Sequence, residues 1–233
     1  MEIIRSTDRG HANHGWLESY HSFSFADYYD ASKMGYSALR VINEDIIAPG
    51  KGFGMHSHQN MEIITYILKG ELTHKDSLGN VETIKHGCVQ RMTAGTGVTH
   101  SEFNASNTEP VHLIQIWITP NMLNLTPSYE DKQLDDASKY NQWRLIASEN
   151  GQNQSLIVHQ DLALYASQLS EYKKLEYDLK QGRCAYLQIC NGRINIDEQV
   201  LNAGDAAVFN DPQTIELTAL NNAEILLFDM PQE

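Results

Sequence analysis

Two short phrases of this chain carry the residue types that do metal chemistry. His56 and His58 lie in GFGMHSHQNMEIITYILKG, and His100 and Glu102 lie in TAGTGVTHSEFNAS. Each phrase sets two ligand-type side chains two positions apart, a spacing that points both to one face of a β-strand. Two such strands brought together offer three imidazoles and one carboxylate to a single point, a donor set that suits a divalent transition metal. The bland alternative is a polar patch of hydrogen-bonded histidines in the mouth of a barrel.

The rest of the chain must build strands to present them. Segments rich in Val, Ile, Leu and Tyr recur between Gly, Asn, Asp and Pro: SALRVINEDIIAPG, MEIITYILKG, CVQRMTAG, VHLIQIWITP, AYLQICNG, AAVFNDP, TIELTAL and EILLFDMP. Strands at this spacing predict an all-β barrel or sandwich. DSLGN at 76–80 and the stretch around Asn191-Gly192 read as hairpin turns. DLALYASQLSEYKK (161–174) is the one stretch expected to hold a short helix.

From about Thr119 to Tyr140 alternation gives way to Pro, Asn and Asp, as expected of a crossing between two domains. The expected division is 1–130 for an N-terminal, metal-binding module and 131–233 for a C-terminal module without metal ligands. With Gly70 placed over Gly192, KGELTH lies over NGRINI, GCVQRM (87–92) over GDAAVF (204–209), and HLIQIWI over EILLFDM. Two copies of one β-barrel module account for this order. Under that alignment Asp178 and Lys180 replace His56 and His58, and Thr214 and Glu216 replace His100 and Glu102. Nine of the ten histidines precede residue 113, leaving His159 alone in the second half.

Composition narrows the function classes. The 233 residues, 41% hydrophobic and 9% aromatic, are those of a water-soluble globular chain with one large or two small cores. No apolar run is long enough to span a bilayer, and the N-terminus lacks the apolar stretch of a signal peptide. Cys88, Cys184 and Cys190 are an odd number without CxxC spacing, which points to core thiols in the reducing cytoplasm. A net charge of −13, from 17 basic and 30 acidic residues, argues against direct nucleic-acid binding and leaves room for a basic protein partner.

Gly50, His56-x-His58, Glu62 and Gly70 follow the first cupin motif, and Gly87, Gly95, His100 and Asn104 follow the second. The opening RGHANHGWLESYHSFSFADYYD, together with the two ligand phrases, resembles the pirin family of bicupins. Within it, the chain resembles the bacterial quercetin 2,3-dioxygenase-like members over essentially its whole length, with motifs most specific through about residue 130. The resemblance implies two jelly-roll barrels with few short helices and places the metal on His56, His58, His100 and Glu102. It makes Glu62, the carboxylate ligand of many other cupins, a supporting residue. Thr93 stands where many cupins have the Pro of the second motif. His11, His14 and His21 fall in the family's N-terminal signature, where roles near the pocket are expected. His74 and His86 flank a predicted hairpin and are expected at the surface, and His112 is expected to lie off the site.

An open site of three neutral imidazoles and a carboxylate suits oxygen chemistry on a chelating substrate. The resemblance implies cleavage of quercetin or a related flavonol at the 2,3 bond with O2 and release of carbon monoxide, Glu102 acting as ligand and base. Fe(II) is the expected ion, while Mn, Co, Ni, Cu and Zn suit the same donors. A non-catalytic metal or redox sensor bound to a protein partner is the alternative. A zinc-type isomerase or hydrolase would use the same ligands without redox chemistry.

Overall fold

The computed structural model describes residues 1–232, nearly all of them in β-strands, loops and turns. The chain divides into two compact units. One comprises Arg9–Leu134 and Val158–Gln160; the other comprises Met1–Asp8, Asp135–Ile157 and the chain from Asp161 onward. The junction thus falls at Leu134/Asp135 rather than at 130, and the first eight residues go with the C-terminal half. Strand β1 (Glu2–Ile4) pairs with a strand of that half, Ile3 opposite Ala207.

The first unit runs β2 (Gly10–Asn13), β3 (Leu17–His21), β4 (Leu39–Ile47), β5 (Gly52–His58), β6 (Glu62–Lys69) and β7 (Glu71–Asp76). It continues through β8 (Val81–Lys85), β9 (Cys88–Thr93), β10 (Val98–Asn104), β11 (Val111–Ile118) and β12 (Ser128–Gln133). These form a seven-stranded sheet, β12-β9-β6-β11-β4-β3-β2, and a four-stranded sheet, β5-β10-β7-β8. β12 lies inside the stretch expected to be a crossing, because pairing with β9 satisfies its backbone groups despite its polar sequence.

Register determines what faces the interior. One end of this unit is filled by Leu17, Ile47, Ile67, Leu72, Val111 and Leu113, with Ile84 and Cys88. A second apolar cluster holds Ile63, Met92, Ala94 and Val98, with Trp117 against it. Between them runs a polar row across five strands of the large sheet. His21 lies opposite Asn43, Asn43 opposite Gln115, Gln115 opposite Thr65, and Thr65 opposite Gln90. All five are buried. Such a layer displaces apolar contacts and must be hydrogen-bonded throughout.

The second unit adds to β1 a short helix α1 (Asp136–Lys139) and strands β13 (Arg144–Ser148), β14 (Leu156–Ile157), β15 (Ala163–Leu169), β16 (Lys174–Leu179) and β17 (Arg183–Asn191). β18 (Arg193–Ile196), β19 (Gln199–Asn202), β20 (Ala206–Phe209), β21 (Gln213–Ala219) and β22 (Ala223–Pro231) complete it. Its sheets, β1-β20-β17-β22-β15-β13-β14 and β16-β21-β18-β19, repeat the strand order of the first unit position by position. The chain is an all-β bicupin.

The aligned glycines are equivalent, but neither closes a hairpin. Gly70 and Gly192 sit at corners where the chain leaves one sheet for the other, at φ of 83° and 78°. A Cβ on Gly192 would lie 2.2 Å from the Asn222 carbonyl oxygen, so only glycine fits. DSLGN does form the β7–β8 turn, with the Asp76 carboxylate accepting from the Leu78 and Asn80 backbone N–H groups. The helix expected within 161–174 is strand β15, paired on both edges to β13 and β22. Tertiary pairing overrides the local helical preference of its Ala, Leu and Gln residues.

The residue-by-residue alignment of ligand positions is one place out. Asp178 and Thr214 face each other on the exposed side, Thr214 Oγ1 donating to Asp178 at 2.9 Å, and Glu216 lies opposite Glu176 on that same side. Lys180 falls beyond the end of β16. The inward neighbours are Tyr177 with Ile215 and Leu175 with Leu217, part of an apolar cluster that also holds Leu187, Phe209 and Leu227.

Candidate metal centre

The four-stranded sheet of the first unit faces the polar row with three side-chain pairs, each at a spacing of two. β5 supplies His56 and His58, β10 supplies His100 and Glu102, and β7 supplies His74 and Asp76. His100 lies opposite both His56 on β5 and Asp76 on β7. A bulge between His100 and Glu102 slips the β5 register, so that Glu102 pairs with Phe53 on one side and His74 on the other.

The structure brings the imidazoles of His56, His58 and His100 together, with ring centroids 4.4–4.9 Å apart. Their ligand atoms lie within 4.8 Å of one another, and His74, His100 and Glu102 form a second such group sharing His100. Burial, with His100 and His56 alongside, pushes the His58 imidazole down to about 4. Burial, with His56 and His74 alongside, pushes His100 down to about 3. Both rings are therefore neutral at pH 7 and carry a free lone pair.

Hydrogen bonds determine which nitrogen carries it. His74 Nε2 donates to Asp76 Oδ2 at 3.0 Å. Burial pushes the Asp76 carboxyl up, but donors from Asn80, His74 and the Asn80 and Leu78 backbone outweigh it and hold it low. With Nε2 directing its proton at Asp76, His74 Nδ1 faces His100 Nδ1 at 3.4 Å and serves as its acceptor. His100 Nε2 is left unprotonated, buried and without a hydrogen-bond partner among the described residues. His56 Nδ1 donates to the Gly54 carbonyl at 2.8 Å, which leaves the lone pair of this more exposed ring on Nε2. Lone pairs converging with no donor between them repel and stay unsatisfied, and a cation removes both penalties. The donor chemistry fits a divalent transition metal.

Glu102 is held by the polar row. Gln90 Nε2 donates to its Oε1 at 2.8 Å and Thr65 Oγ1 at 3.4 Å, while Gln115 Nε2 donates to Oε2 at 2.8 Å. Tyr129 in turn donates to Gln90 Oε1 at 3.1 Å and stacks on His74 at 4.6 Å.

The other histidines sort cleanly. His74, expected at the surface, is fully buried beside the cluster, because the hairpin it precedes folds its strand over the site. Its spacing of two from Asp76 in ELTHKDS is the signal that would have found it. His86 is exposed, as expected. His112 lies off the site and pairs with Glu44 at 2.9 Å, and Arg9 reaches the same carboxylate at 2.7 Å. Glu62 belongs to neither ligand group; it accepts from Thr93 at 3.0 Å and lies 3.3 Å from His159 Nδ1. The lone imidazole of the second half of the chain thus sits in the first unit. Cys88, Cys184 and Cys190 are buried and form no disulfide among the described residues.

A cavity of about 630 Å³ opens beside the imidazoles, lined by His56, His58 and Glu102. Its walls are aromatic: Trp117 stands edge-on to His58 at 4.9 Å and to Phe25 at 5.4 Å, and Trp16 packs against Phe53 at 5.4 Å. His11, His14 and His21 also line it. His21 is buried and bonded to Asn43 Oδ1 at 2.8 Å. Asp45, singled out by no spacing in the sequence, lies in the same wall.

The family model Pirin matches residues 4–118, and the model described as the quercetinase C-terminal cupin domain matches 145–230. The chain is 44% identical to the quercetin 2,3-dioxygenase of Escherichia coli strain K12, with 98% of each chain covered. The crystal structure of the bacterial pirin YhhW from Escherichia coli in complex with nickel(II) superposes with a TM-score of 0.94 at 43% identity, covering 100% of this chain and 99% of that one. A putative quercetin 2,3-dioxygenase of Pasteurella multocida is 42% identical over 92% of each chain. Two cupin barrels in one chain, the ligand-type cluster in the first and these likenesses over nearly the whole length place the chain in the pirin family.

Proposed function

We propose that this chain is a metal-dependent dioxygenase that opens quercetin and related flavonols at the 2,3 bond, taking up O2 and releasing carbon monoxide. The observation that carries it is the buried, partnerless Nε2 of His100 beside two further imidazoles at the end of an aromatic-walled cavity. His56, His58 and His100 would hold the ion through imidazole nitrogens and Glu102 through a carboxylate oxygen. His74 is excluded because both of its ring nitrogens are engaged, by Asp76 and by His100. Fe(II) is the ion we expect, and the nickel(II) complex of the Escherichia coli relative supports a site tolerant of several ions. When bound, the ion supplies open coordination positions and, if redox-active, a route for electrons between flavonol and O2.

The chain's own residues do the rest. Trp117, Phe25, Phe53 and Trp16 stack on a flat polycyclic substrate and exclude water. Glu102 takes the proton of the flavonol 3-hydroxyl on Oε1, where the Thr65 bond is the long one and its hydroxyl can turn away. Gln90 and Gln115 hold the carboxylate in place meanwhile. Among the described residues no helix is long and apolar enough to cross a membrane. The three cysteines, none of them in a disulfide among the described residues, support a cytoplasmic location.

Protein loaded with Fe(II), Mn(II) or Ni(II) should bleach quercetin absorbance only with O2 present, releasing one carbon monoxide per O2 consumed. Absence of turnover of every flavonol by fully loaded protein would remove the dioxygenase assignment. Replacing His74 with Leu should weaken metal binding roughly 10- to 100-fold by freeing the His100 ring to turn. Competition against a chelator measures it, and unchanged affinity would show that His100 needs no support from β7.

A further inference from the structure

One wall of the cavity carries a carboxyl that the metal site does not use. Asp45 on β4 is 2% exposed and lines the cavity that also holds His56, His58 and Glu102. It lies opposite Ser19 on β3 and Leu113 on β11. The Ser19 hydroxyl donates to Asp45 Oδ1. No other hydrogen bond to its carboxylate is made among the described residues, so Oδ2 has no donor. Contrast Glu102, whose two oxygens accept three donors between them. Burial lifts the Asp45 carboxyl to about 7; the Ser19 bond opposes this, the charges of Glu102 and Glu44 add to it, and His112 lowers it.

Once ionised, a desolvated carboxylate with an open lone pair is a strong, charge-assisted hydrogen-bond acceptor in a cavity wall. Its natural complement is an acidic hydroxyl carried on an apolar ring, since the neighbouring walls are aromatic. Of the groups nearby, His21 Nδ1 is paired with Asn43 Oδ1 and the Gln115 amide with Glu102. We propose that Asp45, oriented by Ser19, is the specificity-determining residue that accepts a ring hydroxyl of the substrate and so selects polyhydroxylated flavonols over the bare skeleton. This assignment rests on the flavonol reading of the site.

The test compares quercetin with 3-hydroxyflavone, which keeps the chelating hydroxyl and lacks the others. Trp16 and Trp117 line the cavity, so quenching of tryptophan fluorescence reads binding to metal-free protein. Turnover by metal-loaded protein gives kcat/KM for each. The wild type should favour quercetin, and in both Asp45→Asn and Asp45→Leu that preference should shrink roughly 10- to 100-fold, the scale of one lost charge-assisted hydrogen bond. Two variants of different chemistry guard against a folding defect in one. If the wild type turns over quercetin and both variants keep its preference, Asp45 is not the hydroxyl acceptor. If the wild type neither binds nor turns over any flavonol, the flavonol reading falls, and this assignment falls with it.

Discussion

Replacing His100 with Ala should release the metal while the barrel stays folded. A structural four-donor zinc site in a small domain is worth on the order of 10–16 kcal/mol, so one donor of four accounts for about 3–4 kcal/mol. That corresponds to roughly 100- to 1,000-fold in affinity. His100 is the most constrained donor of the set, with Nδ1 against His74 and Nε2 buried without a partner. The fold should survive because the interior of this unit is closed by two apolar clusters that contain none of the ligand-type residues. Removing one of three mutually crowded imidazoles also relieves the metal-free protein of a desolvated polar group. Metal content after equilibrium dialysis, alongside circular dichroism, separates the two effects, with exposed His86→Ala as the control. Metal retained by the His100 variant would mean that the ligand assignment is wrong.

How much of this centre the sequence discloses depends on the distance over which its geometry is set. The pairs His56/His58 and His100/Glu102 are legible because a spacing of two needs only a strand, a local property. His74 and Asp76 share that spacing, yet their place is decided by the β7–β10 register, which puts Glu102 opposite His74. Asp45 and its partner Ser19 meet only through β3–β4 pairing, and no motif announces such a contact. The polar row is likewise a property of register: single Gln, Asn and Thr residues in five separate strands look like ordinary interruptions until pairing aligns them. In the second unit the same blindness misplaced the ligand-equivalent positions by one residue. A shift of one exchanges the two faces of a strand, and an alignment anchored at Gly70 and Gly192 cannot see which face a sheet has buried. The strand 163–169 was hidden for a related reason. Its helix-forming residues are held extended by β13 and β22, neither of which is near it in pattern.

Asp45 should also make the metal-free protein lose stability as pH rises, and Asn in its place should abolish the effect. In the unfolded chain this carboxyl titrates near its ordinary 3.8, and in the folded chain near 7. Between those values the folded protein keeps a proton that the unfolded chain has given up. Its contribution is therefore complete below about pH 4, falls away as pH rises, and reaches a constant deficit above pH 7. The gap corresponds to an order of 4 kcal/mol for a carboxylate held in this wall. Asn keeps the acceptor for Ser19 and cannot ionise, so Asp45→Asn should match the wild type near pH 3 and exceed it by several degrees in melting temperature at pH 8. Titrations of groups not coupled to Asp45 cancel in that difference, and metal-free samples keep ion binding out of it. Parallel stability curves across this range would show that the carboxyl is solvated in a way its burial does not suggest. The two Asp45 experiments then bear on each other: a residue whose loss stabilises the fold while flattening the preference for quercetin is held there by what it binds, not by what it packs against.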